Sequence, residues 1–187
     1  LQEFQFDPFQ LEVAARYETA DVESQVIGFS RSFDTLSGAL GLAYETDGGL
    51  RFGVNGSRAE RAPSAEELLS LGDVPHVATQ AIEVGDPGLG KERAWGLEAF
   101  ARGAVGAGTA SLAVFKSWFD NYIYLAETGL EEEGFPVFAY RQADARYFGV
   151  EGEISYPILR SDAFTLLADL RGDYIRASLA DGTPLPR

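Results

Sequence analysis

The chain has 187 residues, 29 acidic side chains against 15 basic ones, a formal net charge of −14 and no cysteine. That charge excludes the basic stripe expected of a nucleic-acid binder, and the missing cysteine excludes disulfides and thiolate metal sites. No run approaches the roughly 18 apolar residues of a transmembrane helix, which rules out helical membrane proteins but not barrels, whose strands alternate.

Residues 1–6 read as the tail of a strand, closed by a tight turn at Asp7-Pro8. Phe9, Leu11, Val13, Ala15 and Tyr17 then point away from Gln10, Glu12, Ala14 and Arg16, the side-chain period of two that defines a strand. The same alternation returns from Leu36 to Tyr44 and, after the turn Thr46 to Gly49, from Leu50 to Val54. Trp95, Leu97, Ala99 and Ala101 form the next apolar face, and the glycine-rich stretch Gly103 to Gly108 turns the chain. Residues 108–124 are strand-like but mixed, with Lys116 breaking the apolar face. From Tyr147 to Ile158 the alternation is nearly perfect, with Phe148, Val150, Ile154, Tyr156 and Ile158 opposite Glu151, Glu153 and Ser155. A turn at Leu159 to Asp162 leads to a last strand from Phe164 to Tyr174. The pattern predicts an all-β fold, an antiparallel up-and-down meander of about eight strands.

The connections alternate in length. Between the short turns lie long stretches, roughly 18–35, 59–91 and 125–144, with a fourth opening near 177. In a meander this puts every short turn at one end and every long loop at the other, an asymmetry of transmembrane barrels that a Greek-key sandwich has no reason to keep. Aromatic pairs bracket the apolar faces, Phe9 with Tyr17, Phe148 with Tyr156 and Phe164 with Tyr174. Ten tilted strand positions rise about 25 Å, close to a lipid-facing band. The reading is therefore part of a larger transmembrane β-barrel, with lipid against the aromatics and Glu12, Glu98, Glu151, Glu153, Asp169 and Arg171 towards the lumen. The alternative is a soluble, secreted β-sandwich that binds carbohydrate or protein, with Trp95, Trp118 or Tyr122 as stacking platforms.

The long loop holds the most specific wording. Arg61-Ala62-Pro63-Ser64-Ala65-Glu66-Glu67-Leu68 and Asp86-Pro87-Gly88-Leu89-Gly90-Lys91-Glu92 resemble two stretches of the TonB-dependent outer-membrane receptors. "SLAVFKSWFDNYIY" and "ARYFGVEGEISY" are similar to two strands of the same family and follow in the same order. The residues have their own readings. Pro63 followed by Ser64 and, three residues on, Glu67 has the spacing of a capping box, and Pro87 stops the loop before a strand that starts near Glu92.

The resemblance implies a receptor that takes up a scarce nutrient through the outer membrane of a Gram-negative bacterium. Residues 1–187 then form a partial β-barrel domain, an internal stretch with no plug domain, no TonB-contacting segment and no C-terminal strands. The implied partners are outer-membrane lipid, the TonB complex through segments outside the chain, and a small-molecule or metal substrate. Cut from its barrel, such a sheet is expected to self-associate or bind detergent. The stretch "PHVATQAIEVGDPGLGKER" is most similar to the zinc-uptake branch, which implies zinc, or another metal or metal chelate, as cargo and no resident cofactor. His76, the lone histidine, with Asp73, Glu83 and Asp86 nearby in sequence, supplies the imidazole and carboxylates that zinc favours. The run Glu127, Glu131, Glu132 and Glu133 reads as a solvated loop. Glu151 and Glu153 share a strand face, yet no nucleophile–base constellation accompanies them, so no enzyme activity is expected.

Overall fold

The computed structural model describes residues 1–76 and 79–185. Its strands are β1 (Gln2–Phe6), β2 (Phe9–Ser24), β3 (Phe29–Glu45), β4 (Leu50–Arg61), β5 (Ile82–Val84), β6 (Glu92–Val105), β7 (Gly108–Glu132), β8 (Phe135–Arg160) and β9 (Thr165–Leu179), and one short helix, α1 (Ala65–Leu69), follows β4. They make one nine-stranded sheet in which β1-β2-β3-β4-β6-β7-β8 lie side by side. Beside β8 lie two strands: β9 runs antiparallel along residues 145–160, while β5 runs parallel to Val137–Ala139. The expected meander is present. The extra strand is β5, three residues inside a stretch that shows no alternation of its own.

One rung of the sheet reads Leu11, Leu42, Val54, Ala99, Val114, Val150 and Tyr174. One step along each strand, the rung reads Glu12, Gly41, Asn55, Glu98, Phe115, Gly149 and Ile175. The step that reverses every side chain thus separates a uniformly apolar rung from one that carries Glu12, Asn55 and Glu98. The sheet curls around that second face, enclosing a concave space of about 520 Å³ lined by residues of β2, β3, β4, β6, β7, β8 and β9. Phe9, Leu40, Leu42, Phe52, Val54, Trp95, Leu97, Leu112, Ile154, Tyr156 and Leu170 on the convex side are all exposed. This overturns the sandwich alternative, which needs those residues buried between two layers.

Two of the expected long loops are not loops. Every residue from Glu18 to Ser24 pairs with one from Phe29 to Thr35, so the connection placed at 18–35 is a continuing hairpin with a turn at 25–28. Likewise β7 and β8 stay paired up to Glu132 opposite Phe135, through register shifts after Phe119 and after Glu127. The glutamate run, expected as a loop, therefore ends in a two-residue turn, Glu133 (φ 53°) and Gly134 (φ 84°), the left-handed pair that suits such hairpins. The opening near 177 starts later, after β9 ends at Leu179. What survives is the asymmetry: the strands overshoot at one end only, and at that end stretch 62–91 folds over the sheet. The buried core lies there too, with Phe33, Leu68, Leu89 and Ile123 packed together beside Val22, Phe29 and Tyr140.

Candidate functional site

Stretch 62–91 is held by its own sequence first. The Ser64 backbone NH donates to Glu67 Oε2 at 2.7 Å, and the Glu67 NH donates to Ser64 Oγ at 3.1 Å, closing the capping box at the start of α1. Arg61 forks onto Glu67 at 2.8 and 3.0 Å and reaches Glu92 at 3.2 Å, tying the last residue of β4 to the helix and to the first residue of β6. Gly85 runs close under the helix end: a Cβ there would sit 2.7 Å from the Ser70 nitrogen, so only glycine lets the returning chain pass.

Neighbouring strands then pin the stretch from outside. Arg31 donates to the carbonyls of Pro87 and Leu89 at 2.7 and 2.8 Å. Gln142 exchanges both amide bonds with Gly90 at 2.8 Å. Glu83 is buried, and its carboxylate accepts from the Thr79 hydroxyl at 2.8 Å and from the Tyr140 hydroxyl at 2.9 Å. Burial comes first, followed by the hydrogen bond to Glu83 and the charges of Glu83, Glu66 and Glu67, in pushing the Tyr140 phenol well above the usual tyrosine range. Tyr140 therefore stays a donor. Arg31, Tyr140 and Gln142 carried no signal in the sequence, since all three lie in stretches that read as loop.

The four sequence-derived metal candidates are only partly brought together. His76 Nδ1 lies 3.8 Å from Glu83 Oε1, and its Nε2 lies 3.4 Å from Glu66 Oε1, a residue outside the candidate set. The two carboxylates flank opposite ring nitrogens, so an ion on either nitrogen would have one carboxylate beside it. Asp86 turns back on its own loop, accepting from the Gly88 NH at 2.7 Å. Among the described residues no group of three or more histidine, aspartate or glutamate side chains is placed to share a metal ion.

The concave wall carries the other polar cluster. Of the residues expected towards the lumen, Glu12, Glu98, Glu151, Glu153 and Arg171 line the concave space, and Asp169 shares their face, opposite Ser155 and two residues beyond the Glu153–Arg171 pair. Arg171 meets Glu153 at 2.9 Å, Asn55 donates to Glu98 at 3.1 Å, and Arg51 hydrogen-bonds Gln10 within 4.0 Å of Glu12. A wall of this kind holds water and presents paired and unpaired charge to whatever lies inside.

The family description "TonB dependent receptor-like, beta-barrel" matches residues 2–187. The chain belongs to that family. Solved structures agree at the level of fold. A copper transporter, OprC, superposes with a TM-score of 0.74 at 15% identity, covering 96% of this chain and 29% of that one. The FrpB iron transporter from Neisseria meningitidis gives 0.67 at 20% identity, covering 97% and 26%. The siderophore receptor PirA from Pseudomonas aeruginosa gives 0.55 at 16%, covering 91% and 37%. The chain thus spans between about a quarter and about two fifths of these receptors. The family and these structures are of receptors and transporters, not enzymes. Within this TonB-dependent receptor barrel, the two matched loop stretches act as structure: Arg61 and Glu67 fasten the helix, and Pro87 and Leu89 are what Arg31 grips.

Proposed function

We propose that the chain is part of the barrel of an outer-membrane receptor of a Gram-negative bacterium that takes up a scarce nutrient, a metal or metal chelate. The observation that carries this reading is the single curved sheet, apolar outside and charged inside, with a folded stretch closing over the end where the strands overshoot. Its convex side then meets membrane lipid. The energy-coupling TonB complex acts through parts of the receptor outside residues 1–187. The matched structures are of a copper transporter, an iron transporter and a siderophore receptor, which supports this class of cargo.

Zinc is the finer form of the reading. It rests on the local similarity of the Pro75–Arg93 stretch and on His76 lying beside Glu83 and Glu66. Of the four residues proposed from sequence, His76 and Glu83 lie side by side, and Asp73 and Asp86 complete the proposed set. Uptake of labelled zinc, copper and iron chelates by metal-starved cells, with and without the full-length gene, tests the function. Loss of one cargo class is expected, and unchanged uptake of all of them would remove it. Calorimetry of the intact receptor with zinc, wild type against His76→Ala, tests the finer form; equal affinities would exclude His76.

A further inference from the structure

The apolar convex face ends differently on its two halves. Over β3, β4 and β6, the cations at its upper border are matched by carboxylates: Glu60 takes Arg58 at 2.5 Å, Lys91 at 3.0 Å and Arg93 at 3.2 Å, and Asp120 lies 3.6 Å from Arg93. Over β7, β8 and β9 the border carries Lys116, Arg146 and Arg176, all exposed, and among the described residues none of the three meets a carboxylate.

Register places these three together. Lys116 lies opposite Phe148, which lies opposite Arg176, so Lys116 and Arg176 are two strand spacings apart, about 10 Å. Arg146 lies opposite Trp118 on one side and Ser178 on the other, which makes it a diagonal neighbour of both cations at about 7–8 Å. All three share the face of Phe148. Below them the face is uniformly greasy, with Leu112 and Val114 on β7, Val150 and Ile154 on β8 and Leu170 on β9. Above them it turns polar, with Asp120 and Asp144, whose carboxylate accepts from the Asn121 NH at 3.2 Å. Lys116 Nζ sits 5.0 Å from the centre of the Trp118 ring, and tryptophan favours the level of lipid headgroups.

Three cations facing lipid cost little only near the headgroups, and among the described residues no carboxylate pairs with any of them. We infer that Lys116, Arg146 and Arg176 bind the phosphate of an anionic membrane lipid whose acyl chains lie on the apolar surface of β7–β9. The charge complementarity is with phosphate, and the adjoining greasy surface selects a lipid over free phosphate. The inference rests on the reading of the convex side as lipid-facing.

The test uses the full-length receptor in detergent, titrated with phosphorylated lipid A and read by native mass spectrometry. Wild type is expected to bind it, and the triple variant Lys116→Gln/Arg146→Gln/Arg176→Gln to bind about a hundredfold more weakly, about fivefold per cation. Arg58→Gln, which alters a cation already matched by Glu60, is expected to leave binding unchanged. Equal binding by the triple variant, equal binding of dephosphorylated lipid A, or competition by inorganic phosphate at the same concentration as the lipid would each overturn the assignment. Quenching of Trp95 and Trp118 by brominated acyl chains separates the two layers: quenching with an unaffected triple variant defeats only the phosphate site, whereas absent quenching defeats the lipid-facing reading.

Discussion

The Tyr140 hydroxyl donates a 2.9 Å hydrogen bond to the carboxylate of Glu83, a residue 57 positions earlier in the chain. The bond joins β8, above the apolar band, to the three-residue strand β5, so one side-chain contact fixes the returning half of the folded stretch to the barrel. With Thr79 it is what satisfies a buried carboxylate, and a buried acceptor that loses a partner costs about 1–3 kcal/mol.

Tyr140→Phe is therefore expected to speed amide hydrogen exchange of residues 79–91 in the full-length receptor by about 5- to 150-fold, the equivalent of that cost, while exchange in β2 and β3 stays as it is. The docking is also expected to depend on pH. Tyr140 has its phenol raised in the docked state, so below the ordinary tyrosine value of about 10 both states hold the proton and the contact is in full force. As pH rises past that value the undocked state releases its proton first, and docking weakens. Loss of this pH dependence in Tyr140→Phe checks the sign; a dependence that persists would place its origin elsewhere.

Glu67 and Glu66 stand side by side on α1 with unequal work to do. Glu67 completes the capping box and receives Arg61, whereas Glu66 is half-exposed beside His76. Glu67→Ala is expected to destabilise the helix locally by about 1–2 kcal/mol, and Glu66→Ala by less than about 0.5 kcal/mol. Exchange rates at residues 65–70 in the two variants measure the difference, and equal effects would mean that the box contributes nothing.

The meander, its short turns and the face assignments were legible because each strand inside the apolar band has one greasy and one wet side. Above that band the apolar residues change sides: in "ETADVES" (18–24) opposite "FSRSFDT" (29–35), Val22, Phe29 and Phe33 lie on the face opposite to that of Leu11 and Leu42 and pack beneath the folded stretch, so the alternation slips and two hairpins look like loops. The capping box was legible because its partners are three residues apart. The Glu83–Tyr140 and Arg31–Leu89 contacts were not, since they join positions 57 and 58 apart through strands invisible to alternation. The metal candidates were chosen for closeness in sequence, which put His76 and Glu83 side by side but did not show that the Asp86 carboxylate accepts from the Gly88 NH on its own loop.

An open sheet with a greasy convex face and exposed backbone at β1 and β9 should not stay alone in water. Residues 1–187 expressed by themselves are expected to form assemblies or to bind detergent. Sedimentation without detergent decides it, and a stable monomer would contradict the exposure of that face.

The sharpest contrast lies between adjacent positions on β7. Val114 belongs to the greasy rung with Ala99 and Val150, while Ala113 pairs with Phe100 and Glu151 and lines the concave space. Replacing each by arginine adds the same side chain to the same strand, one residue apart. If the convex side meets hydrocarbon, Val114→Arg costs about 1–3 kcal/mol because a guanidinium must leave water for hydrocarbon a few ångströms below the headgroups, whereas Ala113→Arg faces a wet lumen and costs well under about 1 kcal/mol. Denaturant unfolding of the full-length receptor in liposomes measures both. Costs that are equal, or reversed, would mean that the two faces of the sheet do not meet lipid and water as assigned, since nothing else about the two positions differs by that much.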